Sequence, residues 1–200
     1  MAMKIIVIGA SGTIGSAVVK SLAAKGHEVT GVHRKSNPPF DLQKPETLDA
    51  IFAKTGNVDA VISCAGSGAF GKSLEELTDQ DLAFSVSDKL LGQVNVIRHS
   101  LKHVNDGGSI TVTSGSLARQ PMPKTSAISM INAGIEGFAI GAALDAPRGI
   151  RINAVAPPWI KETLEAYKMD ATHGQPAADC AKVYVTVVEG TQRGQIIPTT

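Results

Sequence analysis

The chain has 200 residues, enough for one α/β domain with a buried core and too few for a second substrate domain of any size. Nineteen basic side chains stand against 18 acidic ones, a net charge of +1, so bulk electrostatics points to neither nucleic acid nor an anionic membrane surface; a small-molecule substrate is the expected partner. The two cysteines, Cys64 and Cys180, and the histidines His99, His103 and His173 have no metal-ligand spacing, so free thiols in a reducing compartment and no metal site are expected. The N-terminus lacks the pattern of a signal peptide and no segment approaches the roughly 20 apolar residues of a bilayer span, which leads us to expect a cytoplasmic protein.

The apolar run Lys4–Ile8 predicts a first strand, and an apolar-periodic helix follows over Ser16–Ala24. Between them lies Gly9-Ala-Ser-Gly12-Thr-Ile-Gly15. A helix N-terminus entered through side-chain-free turns offers unpaired N–H groups and the positive end of the helix dipole, which suits a pyrophosphate. In such a turn one glycine permits the bend, one lets phosphate approach the backbone and one lets the helix pack on its strand; Gly9, Ser11, Gly12, Thr13, Ile14 and Gly15 are therefore candidate dinucleotide contacts. His27–Val32 reads as a second strand. His33–Lys44 contains Pro38-Pro39 and cannot hold a helix of normal length, so a loop is expected there. Pro45–Lys54 predicts a helix with proline in its first turn, Val58–Ser63 a strand running into Ala65-Gly-Ser-Gly68, and Asp81 to Val104 one long helix. Gly108–Ser114 predicts a strand and Ser126–Ala146 a helix apolar nearly all round, which must be buried on more than one side, by the sheet or by another subunit. Ile150–Val155, Ala177–Glu189 and Gly194–Ile197 complete the alternation as strand, helix and short strand. The pattern predicts a doubly wound parallel sheet of Rossmann type, in a single domain spanning residues 1–200.

Four segments carry a family resemblance: the glycine turn, Ser63-Cys-Ala-Gly66, Ile110-Thr-Val-Thr-Ser114 and Arg148-Gly-Ile-Arg-Ile-Asn-Ala-Val-Ala-Pro157. On these the chain resembles the short-chain dehydrogenase/reductase family over nearly its whole length. The resemblance implies a nicotinamide cofactor across the carboxyl ends of the strands, where strand order reverses. It places Asp41 and Leu42 against the adenine, Ala65 and Gly66 along the adenosine side, and Pro157 and Ile160 near the nicotinamide, with Pro158 where the family usually has glycine. It also implies a homodimer or homotetramer joined through the long helix and the small-residue helix. NAD enzymes of this kind put an acidic residue at the end of strand two, whereas a 2′-phosphate needs cations. His33-Arg34-Lys35 stands there, and Arg34 and Lys35 make NADP(H) the expected cofactor.

The family's catalytic serine, tyrosine, lysine and asparagine fall on Gly115, Ile128, Asn132 and Lys89. Two replacements look reciprocal, since Lys89 and Asn132 return one ammonium and one amide to the same region from opposite helices. Isoleucine donates no proton, so the acid must come from Lys89, Ser114 or Ser116, from water, or from Tyr167 folding back; the candidate catalytic set is Lys89, Ser114, Ser116 and Asn132. Two function classes stay open. One is an oxidoreductase acting on a small carbonyl or alcohol with a rearranged acid/base site, and the other a non-catalytic dinucleotide sensor or interaction protein.

Overall fold

A computed structural model describes residues 1–68 and 71–200. Its frame is a six-stranded, wholly parallel sheet in the order β2-β1-β3-β4-β5-β6. The strands are β1 (Lys4–Ile8), β2 (Glu28–Val32), β3 (Val58–Ser63), β4 (Val104–Thr113), β5 (Arg151–Ala156) and β6 (Ile196–Pro198). β1 pairs with β2 on one side and β3 on the other, so strand order reverses at the carboxyl end of β1. β2 forms one edge of the sheet, and the expected loop over residues 33–44 follows it, with a bridge between Asp41 and Lys44.

Period-two alternation sorts the strand side chains onto two faces. Ile6, Ile8 and Val61 pack with Phe52 of α2 (Thr47–Thr55), Ile97 of α4 (Leu91–Ser100), and Ile131 and Ile135 of α5 (Ser126–Asp145). Ile5, Val7 and Ile62 pack with Val18 and Leu22 of α1 (Thr13–Ala24) and Tyr184 and Val187 of α7 (Ala177–Glu189). These strands are apolar almost throughout because both faces are covered. Each such side chain contributes roughly 1.5–3 kcal/mol on burial.

Several boundaries differ from the sequence expectation. α1 begins at Thr13, and Pro45 lies in the turn ahead of α2. The long helix expected over 81–104 is α3 (Asp79–Ser85), a π turn over Val86–Leu90, and α4, which ends at Ser100. Val104 already belongs to β4, whose register against β3 jumps from Val58–Val104 to Ala60–Ser109. A bulge therefore absorbs the Asn-Asp-Gly-Gly stretch between the expected helix and the expected strand, with Gly107 at φ +73° and Asn105 Nδ2 donating to Asp59 Oδ1 at 2.8 Å. β6 runs over Ile196–Pro198, two residues later than its expected start. A 3₁₀ turn at Ser116–Ala118 and the short helix α6 (Lys161–Ala166) were not legible as elements.

α5 corrects the expectation about apolar length. It has 20 residues at mean hydropathy 1.5, long and apolar enough to cross a bilayer by length and composition. In the fold it lies on β5 and the 3₁₀ turn, burying a stripe that includes Ile131, Asn132, Ile135, Glu136 and Ala139. Its other side leaves Met130, Ile140 and Leu144 exposed.

Candidate functional site

The glycine turn is built as its spacing requires. Gly9 has φ +81°, and its N–H donates to the Val32 carbonyl at 2.9 Å, closing the turn onto the edge strand. A Cβ at Gly9 would stand 2.9 Å from the Ala65 backbone nitrogen, and one at Gly15 would stand 2.1 Å from the Gly9 carbonyl oxygen. No side chain therefore fits at either position, and α1 packs against the end of β1. α1 has no side-chain cap and no acidic residue in its first turn, so its N-terminal N–H groups are available to an anion.

Beside this turn, at the carboxyl ends of the strands, a cavity of about 220 Å³ opens. Ile14 of α1 and the turn Cys64–Gly68 after β3 form one side, and Thr113–Leu117 after β4 form the floor. Ile128 and Asn132 of α5 close the back, while Pro157–Ile160, Thr163 and Tyr167 cover the front. Lys89 enters from the π turn, a local unwinding that changes the facing of successive residues. There Asp88 Oδ2 accepts from the Ser67 N–H at 2.9 Å while Lys89 faces the cavity.

The Lys89 ammonium donates to the Ser114 carbonyl at 3.4 Å. Burial draws its pKa from 10.5 down to about 8, against a smaller upward pull from Asp88. Asn132 is buried with its Oδ1 lacking a hydrogen-bond partner, and its Nδ2 lies 2.7 Å from where a Cβ at Gly115 would be. A side chain at position 115 would thus compete with the Asn132 amide for the same space. The Ser114 hydroxyl turns away from the cavity and donates to Glu136 Oε1 at 2.9 Å, while Glu136 Oε2 accepts from Arg119 at 2.5 Å. Glu136 so fastens both ends of the turn that forms the cavity floor. Beneath it, the Thr113 hydroxyl meets the Ser63 carbonyl at 2.6 Å and the Tyr184 hydroxyl at 2.7 Å. Burial pushes the Tyr184 phenol well above its usual range and the Cys64 thiol up to about 12, so both are neutral at ordinary pH.

Of the residues singled out in the sequence, Ile14, Ala65, Gly66, Lys89, Ser114, Ser116, Asn132, Pro157 and Ile160 line this one cavity. Ser11, Gly12, Thr13, Arg34 and Lys35 lie outside it on exposed surface, and Gly9 and Gly15 form the turn beneath. Asp41 is held locally, its Oδ1 accepting from the Gln43 N–H at 3.0 Å, and Leu42 is buried against Gly66 and Gly92. Glu136, Arg119, Thr113 and Tyr184 were missed. Glu136 carried a signal, a carboxylate on the otherwise apolar helix four residues after Asn132, but its partners come from a different part of the chain.

A family model described as enoyl-(acyl carrier protein) reductase, of the short-chain dehydrogenase type, matches residues 9–186. The chain belongs to the short-chain dehydrogenase/reductase family. Hydroxynaphthalene reductase-like protein Arp2 of Metarhizium brunneum is 26% identical to it over 196 residues, covering 86% of this chain and 72% of that protein. Tetrahydroxynaphthalene reductase PfmaG of Pestalotiopsis fici is 34% identical over an aligned length of 130, gaps included, covering 60% of this chain and 46% of that one. Among solved structures, protein lin1944 of Listeria innocua matches with a TM-score of 0.92 at 36% identity over all of both chains. A small-chain dehydrogenase solved in complex with NADPH matches with a TM-score of 0.88 at 25% identity, over 99% of this chain and 96% of that one. This short-chain dehydrogenase/reductase thus has a cavity at the carboxyl ends of its strands lined by Lys89, Ile128 and Asn132.

Proposed function

We propose that the protein is an NADP(H)-dependent oxidoreductase that reduces a small carbonyl compound, or oxidises the corresponding alcohol, with Lys89 as its proton donor. The observation that carries this reading is the Lys89 ammonium on the wall of the cavity, where desolvation lowers its pKa to about 8. An ammonium of that acidity is a competent general acid near neutral pH. The residues present fit a dinucleotide. The cradle of Gly9 and Gly15 leaves no room for a side chain, and the uncapped start of α1 takes a pyrophosphate. Arg34 and Lys35, exposed at the end of β2, are the side chains that would take a 2′-phosphate. The similar small-chain dehydrogenase solved in complex with NADPH supports the same choice.

The bound nicotinamide supplies the hydride. Lys89 hydrogen-bonds the substrate oxygen and transfers its proton as negative charge develops there, its Nζ holding only a long contact of 3.4 Å to the Ser114 carbonyl that it can exchange for the substrate. Asn132 offers its unpartnered Oδ1 to Lys89 or to a ribose hydroxyl, and Ser116 borders the same space. Pro157 and Ile160 would flank a nicotinamide ring in the cavity, and Trp159 and Thr163 of α6 border the same space. A cavity of about 220 Å³ shared with a nicotinamide ring favours a small substrate.

NADPH consumption against a panel of small aldehydes, ketones and quinones tests the reading, run with direct NADPH binding on the wild type and Lys89→Met. Turnover that disappears in Lys89→Met with binding retained is the expected result. Binding without turnover on any compound of the panel would replace the enzyme by a non-catalytic dinucleotide sensor.

A further inference from the structure

We infer that Lys89 is also a carbonyl-capturing amine, forming an imine with small aldehydes that enter the cavity, without any need for the cofactor. Lys89 is the lysine that lines this cavity. Lys72 is paired with Asp81 at 2.7 Å and Lys182 with Asp179 at 2.6 Å, each satisfied by a carboxylate. Lys89 instead has the Ser114 carbonyl at 3.4 Å, at the limit of a hydrogen bond, for a group with three N–H donors. None of the described residues lining the cavity carries a carboxylate. Asp88, next in sequence, spends its oxygens on the Ser67 N–H at 2.9 Å and the Gln43 amide at 3.4 Å. Glu136, behind Ser114, is committed to the Ser114 hydroxyl and Arg119. The Lys89 backbone lies close over Gly66, where an added Cβ would stand 3.1 Å from the Lys89 Cα. A desolvated amine whose only nearby carboxylate, Asp88, is engaged elsewhere, in a cavity shared with Leu117, Ile128 and Trp159, is arranged as a nucleophile.

The step balances without an outside oxidant. The Lys89 nitrogen adds to the aldehyde carbon, a proton passes from nitrogen to oxygen, and the carbinolamine loses water to leave the imine. Hydride from added cyanoborohydride reduces the protonated imine to a secondary amine and fixes the adduct. Free amine is required, so capture rises through pH 8. The other charged or titratable groups around Lys89 are Asp88, which opposes this by favouring the ammonium, the Glu136–Arg119 pair behind Ser114, the neutral Cys64 thiol, and the Tyr167 phenol across the cavity.

The test treats the full chain with propionaldehyde and sodium cyanoborohydride at pH 8, without nucleotide, and measures propylation of each lysine by peptide mass spectrometry. At that pH about half of Lys89 is free amine, against roughly 0.4% of an ordinary lysine. Lys89 should therefore label on the order of ten- to a hundredfold faster than the median exposed lysine. Lys89→Arg keeps the charge and should lose this fast site while the slow labelling elsewhere is unchanged. Labelling of Lys89 no faster than that of the exposed lysines would overturn the inference, and this internal comparison does not depend on a variant folding. Because the assay contains no NADPH, it stands or falls separately from the reductase reading, which NADPH turnover tests.

Discussion

Replacing Lys89 with methionine should make the protein more stable at neutral pH while abolishing its chemistry. A folded-state pKa of about 8 against an ordinary 10.5 means that folding disfavours the charged form by about 2.5 pK units. At about 1.36 kcal/mol per unit, keeping Lys89 charged at pH 7 costs up to roughly 3 kcal/mol. The side chain is only partly buried, so solvent screening reduces the expected gain for Lys89→Met to about 1–2 kcal/mol. The folded pKa lies below the unfolded one, so between pH 8 and 10.5 the unfolded chain binds more protons at this site. Wild-type stability therefore rises relative to the variant across that window, and the advantage of Lys89→Met closes as pH reaches 10.5. Urea denaturation of both proteins at pH 7 and near pH 10.5, with NADPH turnover measured on the same preparations, reads all of these quantities. A variant less stable than wild type at pH 7, a stability difference independent of pH, or unchanged turnover would refute the reasoning. A stabilising substitution that destroys activity would mark Lys89 as a side chain retained for function.

Arg34→Ala should weaken NADPH binding by on the order of 1.5–3 kcal/mol and leave NADH nearly unaffected, since it removes a charged partner of the 2′-phosphate; calorimetric titration of both nucleotides decides this, and equal wild-type affinities would contradict the assignment. Glu136→Ala should cost about 1–3 kcal/mol, chiefly because it removes the partner of the buried Ser114 hydroxyl at 2.9 Å, the half-exposed Arg119 being solvated once its carboxylate is gone; a loss below about 0.5 kcal/mol in thermal denaturation would mean that Glu136 does not hold the cavity floor. The face formed by Leu91 on α4 and Met130, Ile140 and Leu144 on α5, each 46–81% exposed, should be covered by a second copy of the chain, giving a dimer or tetramer in light scattering; a monomeric mass at micromolar concentration would be incompatible with it.

The sequence by itself determined the layered parallel fold and the glycine turn beside the cavity. Both rest on local signals: apolar strands covered on two faces, and glycines whose spacing within one βα turn sets the backbone path. The Rossmann pattern, the loop over 33–44 and the glycine turn are accordingly legible from residues near one another in the chain. Boundaries were less legible where pairing overrides propensity: Val104 closes the expected long helix and Gly108 opens the expected strand, yet the ladder from Val58 draws Val104 and the residues after it into β4 with a bulge. The chemistry of the cavity was decided only by tertiary structure. Lys89, Ser114 and Asn132 meet there from three elements. Nothing in the local sequence states that the Ser114 hydroxyl turns to Glu136, leaving its carbonyl for Lys89. The lowered pKa of Lys89 likewise comes from desolvation by distant segments, and burial is a property of the assembled fold.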